Sequence, residues 1–120
     1  MKLTRATFLG AALSALAGCM GFGDTDASVL ESVPDEVSYA DIAQITATYC
    51  LRCHNTTNNQ GDFRCDTYDE LFKDRRDAQG DVDQGLMPPL SEPPMSETDR
   101  LAFVKWVEQG ALQTVDNGAQ

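Results

Sequence analysis

Basic residues are scarce in this chain: Lys and Arg number 9 against 19 Asp and Glu, and the formal net charge is −10. Electrostatic attraction to nucleic acid or to an anionic membrane surface is therefore not expected. A basic protein partner fits this charge, and so does the simpler role of keeping the protein soluble. Histidine is scarcer still, because His54 is the only one. No credible pair of strands can be found either, which weighs against a thioredoxin-like fold built on a βαβ unit.

Long apolar runs are also lacking. The run from Ala6 to Ala17 is too short to span a bilayer as a stable helix, and it follows a basic start. Residues 1–18 therefore have the form of a secretory signal peptide. They lead into Leu16-Ala17-Gly18-Cys19, which resembles the lipobox of bacterial lipoproteins, so Cys19 is predicted to carry the lipid anchor. The alternative is an ordinary signal peptide in which Cys19 is incidental.

The rest of the chain divides by composition into a tether, a domain and a tail. Residues 19–36 are rich in Gly, Ser and acidic side chains, and they predict a flexible acidic tether that reaches roughly 20–25 Å. Residues 37–114 predict a single all-α domain, and residues 115–120 predict a disordered tail. The protein would face the periplasm on its lipid anchor. The absence of Asp directly after Cys19 resembles outer-membrane sorting in some bacteria, so the outer membrane is favoured.

Capping patterns place the helices of this domain. Ser38 and Asp41 form a capping box ahead of a first helix, and Ser96 and Asp99 form another ahead of the last. A short middle helix is expected from about Asp66. Residues 77–85 are polar and acidic and predict a loop.

The first helix runs directly into Cys50-Leu51-Arg52-Cys53-His54. Two thiols three positions apart, followed at once by an imidazole, suit covalent haem attachment with the histidine as an axial iron ligand. A redox-active thiol pair, half of a zinc site and an ordinary disulfide remain as alternatives. Apart from Cys19, the only further soft ligand for zinc is Cys65, for which tight packing, a redox-sensitive thiol and an intermolecular disulfide are all open.

A second axial ligand is expected from the proline-rich segment that precedes the last helix. Met87 stands before Pro88-Pro89, where the stiff backbone can aim its thioether. Met95 is the rival, although it lies directly before the last helix and has little chain with which to reach over a porphyrin. Simple core packing is the alternative for either methionine.

These pieces together resemble c-type cytochromes of the single-haem, His/Met-ligated kind, and most closely the short domains of planctomycete-type and related bacterial cytochromes. The matching pieces, in chain order, are Cys50-Leu51-Arg52-Cys53-His54, Gly61-Asp62-Phe63-Arg64-Cys65-Asp66-Thr67-Tyr68, Met87-Pro88-Pro89, and a terminal run from Leu101 through Trp106 to Gly110-Ala111. The resemblance covers about residues 40–112. Cys65 departs from it, since the family tends to have an apolar residue there.

The resemblance implies one haem c attached through Cys50 and Cys53, with His54 and Met87 as axial ligands, inside a small cytochrome c-like helical bundle. The expected function is single-electron transfer between redox protein partners, with no enzymatic activity of its own. A haem-based sensor or ligand-binding lipoprotein, in which Met87 is displaceable, is the alternative. A domain that only docks within a larger respiratory or dehydrogenase complex is a third hypothesis.

Overall fold

The computed structural model describes residues 26–114, so the signal peptide, Cys19 and the tail after residue 114 lie outside the described residues. Four α-helices follow one another: α1 (Ala27–Ser32), α2 (Tyr39–Tyr49), α3 (Tyr68–Asp83) and α4 (Glu97–Glu108). One 3₁₀ turn (Gln60–Asp62) lies between α2 and α3, and no strand forms within residues 26–114. The prediction of an all-helical domain is confirmed for this part of the chain. None of its helices combines the length and apolar character needed to cross a membrane.

Both predicted caps form, but they differ in detail. At α2 the Ser38 side chain accepts from the Asp41 amide while Asp41 accepts from the Ser38 amide, which completes a reciprocal capping box. At α4 the Asp99 amide donates to Ser96 in the same way. The Ser96 amide, however, donates to the hydroxyl of Tyr49, whose proton goes to Asp99. The cap of α4 is therefore linked to the last residue of α2.

The loop predicted over residues 77–85 is wrong for most of its length. Helix α3 continues to Asp83, with a break in helical geometry only at Asp74 (φ −108°, ψ 15°). Although this part of α3 is mostly polar in sequence, one of its faces is directed to the core, where Val82 is buried and Ala78 packs. A helix can bury one narrow stripe even when most of its residues are charged.

The tether predicted over residues 19–36 is wrong at its C-terminal end. Residues 27–32 form α1, capped by the Asp26 side chain, and this helix contacts α4. Val33 and Val37 are buried, and Lys105 of α4 donates to the backbone carbonyl of Pro34 at 2.7 Å. The folded domain thus begins about ten residues earlier than composition indicated. The two valines are stabilised by burial, and burial depends on the tertiary structure and cannot be read from local composition.

Helix α4 is the centre of the core and contacts each of the other three helices. Trp106 and Phe103 are fully buried side chains on this helix, and the ring of Trp106 lies 6.3 Å from that of Tyr39 on α2. The indole N–H of Trp106 donates to the carbonyl of Leu112 at 2.9 Å, so the chain folds back on α4 after its end. Gly110, with φ +100°, permits that reversal at the C′ position of α4.

Truncation of the buried side chain of Ile42 tests how tightly this core is packed. Ile42→Val should lower the free energy of unfolding by about 1 kcal/mol, because it removes one methylene from a side chain with 0% exposure. Leu90→Ala is the control, since Leu90 is 102% exposed and its truncation should change stability by less than about 0.5 kcal/mol. Urea denaturation of both variants checks this. Equal losses in the two variants would contradict the packing described.

Candidate cofactor site

A cavity of about 790 Å³ opens between the end of α2, the loop that follows it, α3 and the proline-rich segment before α4. That volume lies in the range of about 300–1,000 Å³ that small-molecule and cofactor pockets occupy. The four residues predicted for the domain's site, Cys50, Cys53, His54 and Met87, all line it. The structure therefore brings together residues that are 37 positions apart in the sequence, from Cys50 to Met87.

Backbone hydrogen bonds hold the Cys50–His54 segment as one tight turn. The amides of Cys53 and His54 both donate to the carbonyl of Cys50, at 3.1 and 3.0 Å. Cys50 is also the C-cap of α2, and its own amide still donates to Thr46. Because the turn continues directly from the helix, both thiols and the imidazole enter the same cavity in a defined order.

The imidazole of His54 is oriented by a second segment of the chain. Its Nδ1 lies 3.2 Å from the carbonyl oxygen of Phe63, and the two rings meet edge to face with centroids 5.0 Å apart. A proton on Nδ1 donated to this carbonyl leaves the lone pair of Nε2 available. Metal-bound histidines are commonly oriented in this way by a backbone carbonyl. Sequence reasoning did not identify the role of Phe63, because it depends on a backbone atom.

The polar loop between His54 and Phe63 is held by its own side chains. The Asn55 carboxamide accepts from the amides of Thr57 and Asn58, at 2.7 and 2.8 Å, and donates to the carbonyl of Leu51. Thr56 donates both its amide and its hydroxyl to the carboxylate of Asp66. An exposed loop without an apolar anchor thus keeps one conformation, which is a common use of Asn and Thr side chains.

The opposite wall of the cavity belongs to the proline-rich segment. The amides of Leu86 and Met87 donate to the carbonyl of Asp81 at 2.8 and 3.1 Å, which ties this segment to the end of α3. Met87 lines the cavity with 38% of its surface exposed. Met95 lines the same cavity and is partly buried against the core. Both thioethers therefore remain candidates for the second ligand.

The cavity has an apolar interior and a charged rim. Four apolar residues form its inner wall, and they are Phe63, Leu71, Val82 and Phe103. The rim carries the carboxylates of Asp62, Asp74, Asp77, Asp81 and Glu92 beside the cations Arg52 and Lys73. Arg52 donates to Glu92 at 2.5 Å and so bridges the two walls, although at 72% side-chain exposure this ion pair adds little stability. Asp77 and Asp81 were missed as part of this rim because residues 77–85 were expected to be a loop.

Cys65 is packed directly behind the Cys50–His54 turn. It is 1% exposed, its amide donates to the carbonyl of His54 at 3.1 Å, and its thiol points to the same oxygen at 3.3 Å. The neighbouring thiol of Cys50, together with burial, raises the pKa of Cys65, and the Cys65 thiol lowers the pKa of Cys50. Burial of Cys65 favours tight packing over an intermolecular disulfide, since no second chain can reach its sulfur without opening the core.

Within residues 26–114, no group of three or more His, Cys, Asp or Glu side chains is arranged to hold a metal ion. Comparison with protein-family models, with characterised proteins and with solved structures finds no match to the chain. The resemblance to c-type cytochromes therefore remains a prediction from the motifs in the sequence.

The Thr56–Asp66 pair makes the loop beside His54 sensitive to pH. Hydrogen bonds from Thr56 lower the pKa of Asp66 in the folded protein, so its stabilising effect is complete above the unfolded value of 3.8 and is lost as the pH falls below it. Asp66→Asn should be less stable than the wild type at pH 7, and the difference should be smaller at pH 2. Denaturation at both pH values checks this.

The control for that measurement is Glu108→Gln, which neutralises one carboxylate at an exposed position on α4. It should not show the same loss at pH 7. A difference between Asp66→Asn and the wild type that persists unchanged at pH 2 would refute a role for the ionised carboxylate.

Proposed function

We propose that this protein is a c-type cytochrome, anchored to the membrane by lipid at Cys19, which transfers single electrons between protein partners. One haem c would be bound through thioethers to Cys50 and Cys53, with His54 and Met87 as axial ligands. The observation that carries the proposal is the Cys50–His54 turn. It opens into a cavity of about 790 Å³ whose far wall carries a thioether.

The residues around the cavity fit the chemistry of a haem. The bound group would supply one-electron exchange at iron, with a potential set by its axial ligands and surroundings. Cys50 and Cys53 provide two thiols for its vinyl groups. The Phe63 carbonyl keeps the proton of His54 on Nδ1, so Nε2 can ligate iron. The apolar inner wall, which includes Leu71 and Phe103, would exclude water from a bound porphyrin.

The second ligand is assigned to Met87 because of where its segment is anchored. The bonds from Leu86 and Met87 to Asp81 fix the start of the proline-rich segment at the cavity edge. Met95 is instead packed against the core beside the cap of α4, where its side chain contributes to buried packing. A methionine ligand favours ferrous iron and would raise the potential relative to a second nitrogen ligand.

The acidic rim of the cavity supports a partner with a basic surface. The described residues include carboxylates along the rim of the cavity, where an electron would enter or leave. A redox protein with a basic docking surface would be attracted to this rim, and its association would weaken as salt is added.

A second candidate is a haem-based sensor or ligand-binding lipoprotein. The observation that favours it is the exposure of Met87, because a ligand on an exposed segment can be displaced by a small molecule. Rapid binding of carbon monoxide to the reduced wild-type protein at neutral pH would support this candidate over electron transfer.

Methionine ligation can be tested on protein expressed with haem-maturation machinery. The oxidised wild type should show a methionine-to-iron charge-transfer band. Met87→Ala should abolish this band and lower the reduction potential, within the range of about 0.8 V that axial ligands can span. Met95→Ala is the matched control and should keep both the band and the potential. Loss of the band in Met95→Ala alone would transfer the ligand assignment to Met95.

Lipid attachment at Cys19 can be tested separately from haem binding. Cells that express the chain and are fed a radiolabelled fatty acid should label it, and Cys19→Ala should abolish the label because the acceptor thiol is removed. Cys65→Ala, which also removes one thiol, should keep the label. Unlabelled wild-type protein would refute lipidation without bearing on haem.

A further inference from the structure

The proline-rich segment before α4 exposes apolar side chains, only one of which the proposed cofactor site uses. Within residues 26–114, five large apolar side chains remain exposed, and three of them belong to this segment: Leu86 (58%), Met87 (38%) and Leu90 (102%). These three form what we call the apolar patch. Single exposed leucines are ordinary on a protein surface, whereas several that lie close together mark a surface that interacts.

The backbone of this segment is fixed, so the apolar patch is held ready for a partner. The amides of Leu86 and Met87 donate to the carbonyl of Asp81 at 2.8 and 3.1 Å, and the amide of Glu92 donates to the carbonyl of Pro89 at 2.9 Å. Two prolines between the leucines restrict the backbone further. A partner that binds here therefore orders little of the chain, which removes one of the entropic costs of association.

A groove of about 330 Å³ continues from the apolar patch to α4. Four apolar residues line much of it, and they are Pro89, Leu90, Pro94 and Met95. Arg100 of α4 also lines the groove, but its charge is balanced by ion pairs with Glu97 and Asp83. The groove can thus receive an apolar side chain without leaving this cation unpaired.

Acidic side chains border the apolar patch. Asp77 and Asp81 lie one turn apart on α3, and neither takes part in an ion pair within residues 26–114. Asp81 is next to the patch, because its carbonyl holds the amides of Leu86 and Met87. The complementary surface has an apolar centre bordered by lysine and arginine. A second copy of this chain, with its formal net charge of −10, would instead be repelled.

We propose that the apolar patch and its groove are the docking site for a redox protein whose apolar contact surface is bordered by lysine and arginine. The redox part of this proposal rests on the proposed function, since Met87 would then link the docked partner to the iron. Docking itself depends only on the apolar patch and on the acidic border.

The test uses mitochondrial cytochrome c as a lysine-rich redox probe. Its dissociation constant from the full, haem-loaded protein would be measured by titration calorimetry at low salt in detergent solution. The double variant Leu86→Ser/Leu90→Ser should raise the dissociation constant about tenfold, because two apolar side chains are removed from the contact. Leu30→Ser is the matched control, since Leu30 is 55% exposed on α1, and it should bind the probe as the wild type does.

The acidic border is tested with the double variant Asp77→Asn/Asp81→Asn. It should bind the probe more weakly at low salt, and its dissociation constant should rise less steeply as salt is added. The leucine double variant should keep the steepness of the wild type. Equal dissociation constants for the leucine double variant and the wild type, an equal loss in Leu30→Ser, or no saturable binding by the wild type would each overturn the proposal.

Sedimentation of the protein without the probe decides between a partner and a second copy. A monomer is expected, and a dimer that Leu86→Ser/Leu90→Ser dissociates would overturn the proposal by assigning the patch to self-association. Stopped-flow mixing tests the proposed function separately, because the reduced protein should lose one electron and the ferric probe should gain it. Absence of haem would refute the proposed function, while the dissociation constants, which need no electron transfer, would still decide the docking site.

Discussion

The pairing of His54 with the segment from Phe63 to Cys65 is the constraint on which the candidate site depends. The carbonyl of His54 accepts from the Cys65 amide, and its Nδ1 lies against the carbonyl of Phe63. These two contacts close the intervening loop, orient the imidazole and bury the thiol of Cys65 beside Cys50. In both contacts the acceptor is a backbone carbonyl, whereas the side chains of Asn55, Thr56 and Asp66 hold the loop between the two segments.

The cavity, of about 790 Å³, is large for a domain of this size. Helix α4 supplies Trp106 and Phe103 to a core that also has to line an open pocket. Small domains bury a modest fraction of their surface and often depend on a metal, a disulfide or a cofactor for part of their stability. A haem in this cavity would fill that role by covering the exposed parts of lining residues such as Phe63 and Met87, which would give the proposed cofactor a structural function besides its redox function.

Sequence patterns succeeded where the physical cause is local. The caps at Ser38 and Ser96 depend on residues within one turn, and both form, although only the cap at Ser38 is the full reciprocal capping box. The predictions that were wrong concern segments whose structure depends on burial against distant residues. Residues 77–83 are helical because Val82 faces the core, and residues 27–33 belong to the domain because Val33 packs near α4. Neither contact leaves a local pattern, since one buried valine among polar neighbours reads as loop or linker.

The sequence by itself determined the order and spacing of the chemical groups: two thiols, an imidazole, and a methionine before two prolines. It also determined the starts of α2 and α4, because their caps are made by side chains three residues apart, whereas α3 is capped by Thr67 and not by Asp66. Only the tertiary structure decided that these groups line one cavity, that a backbone carbonyl of Phe63 orients His54, and that Cys65 is buried against the carbonyl of His54. The reason is that such contacts depend on the path of the backbone between distant residues, and packing around α4 sets that path.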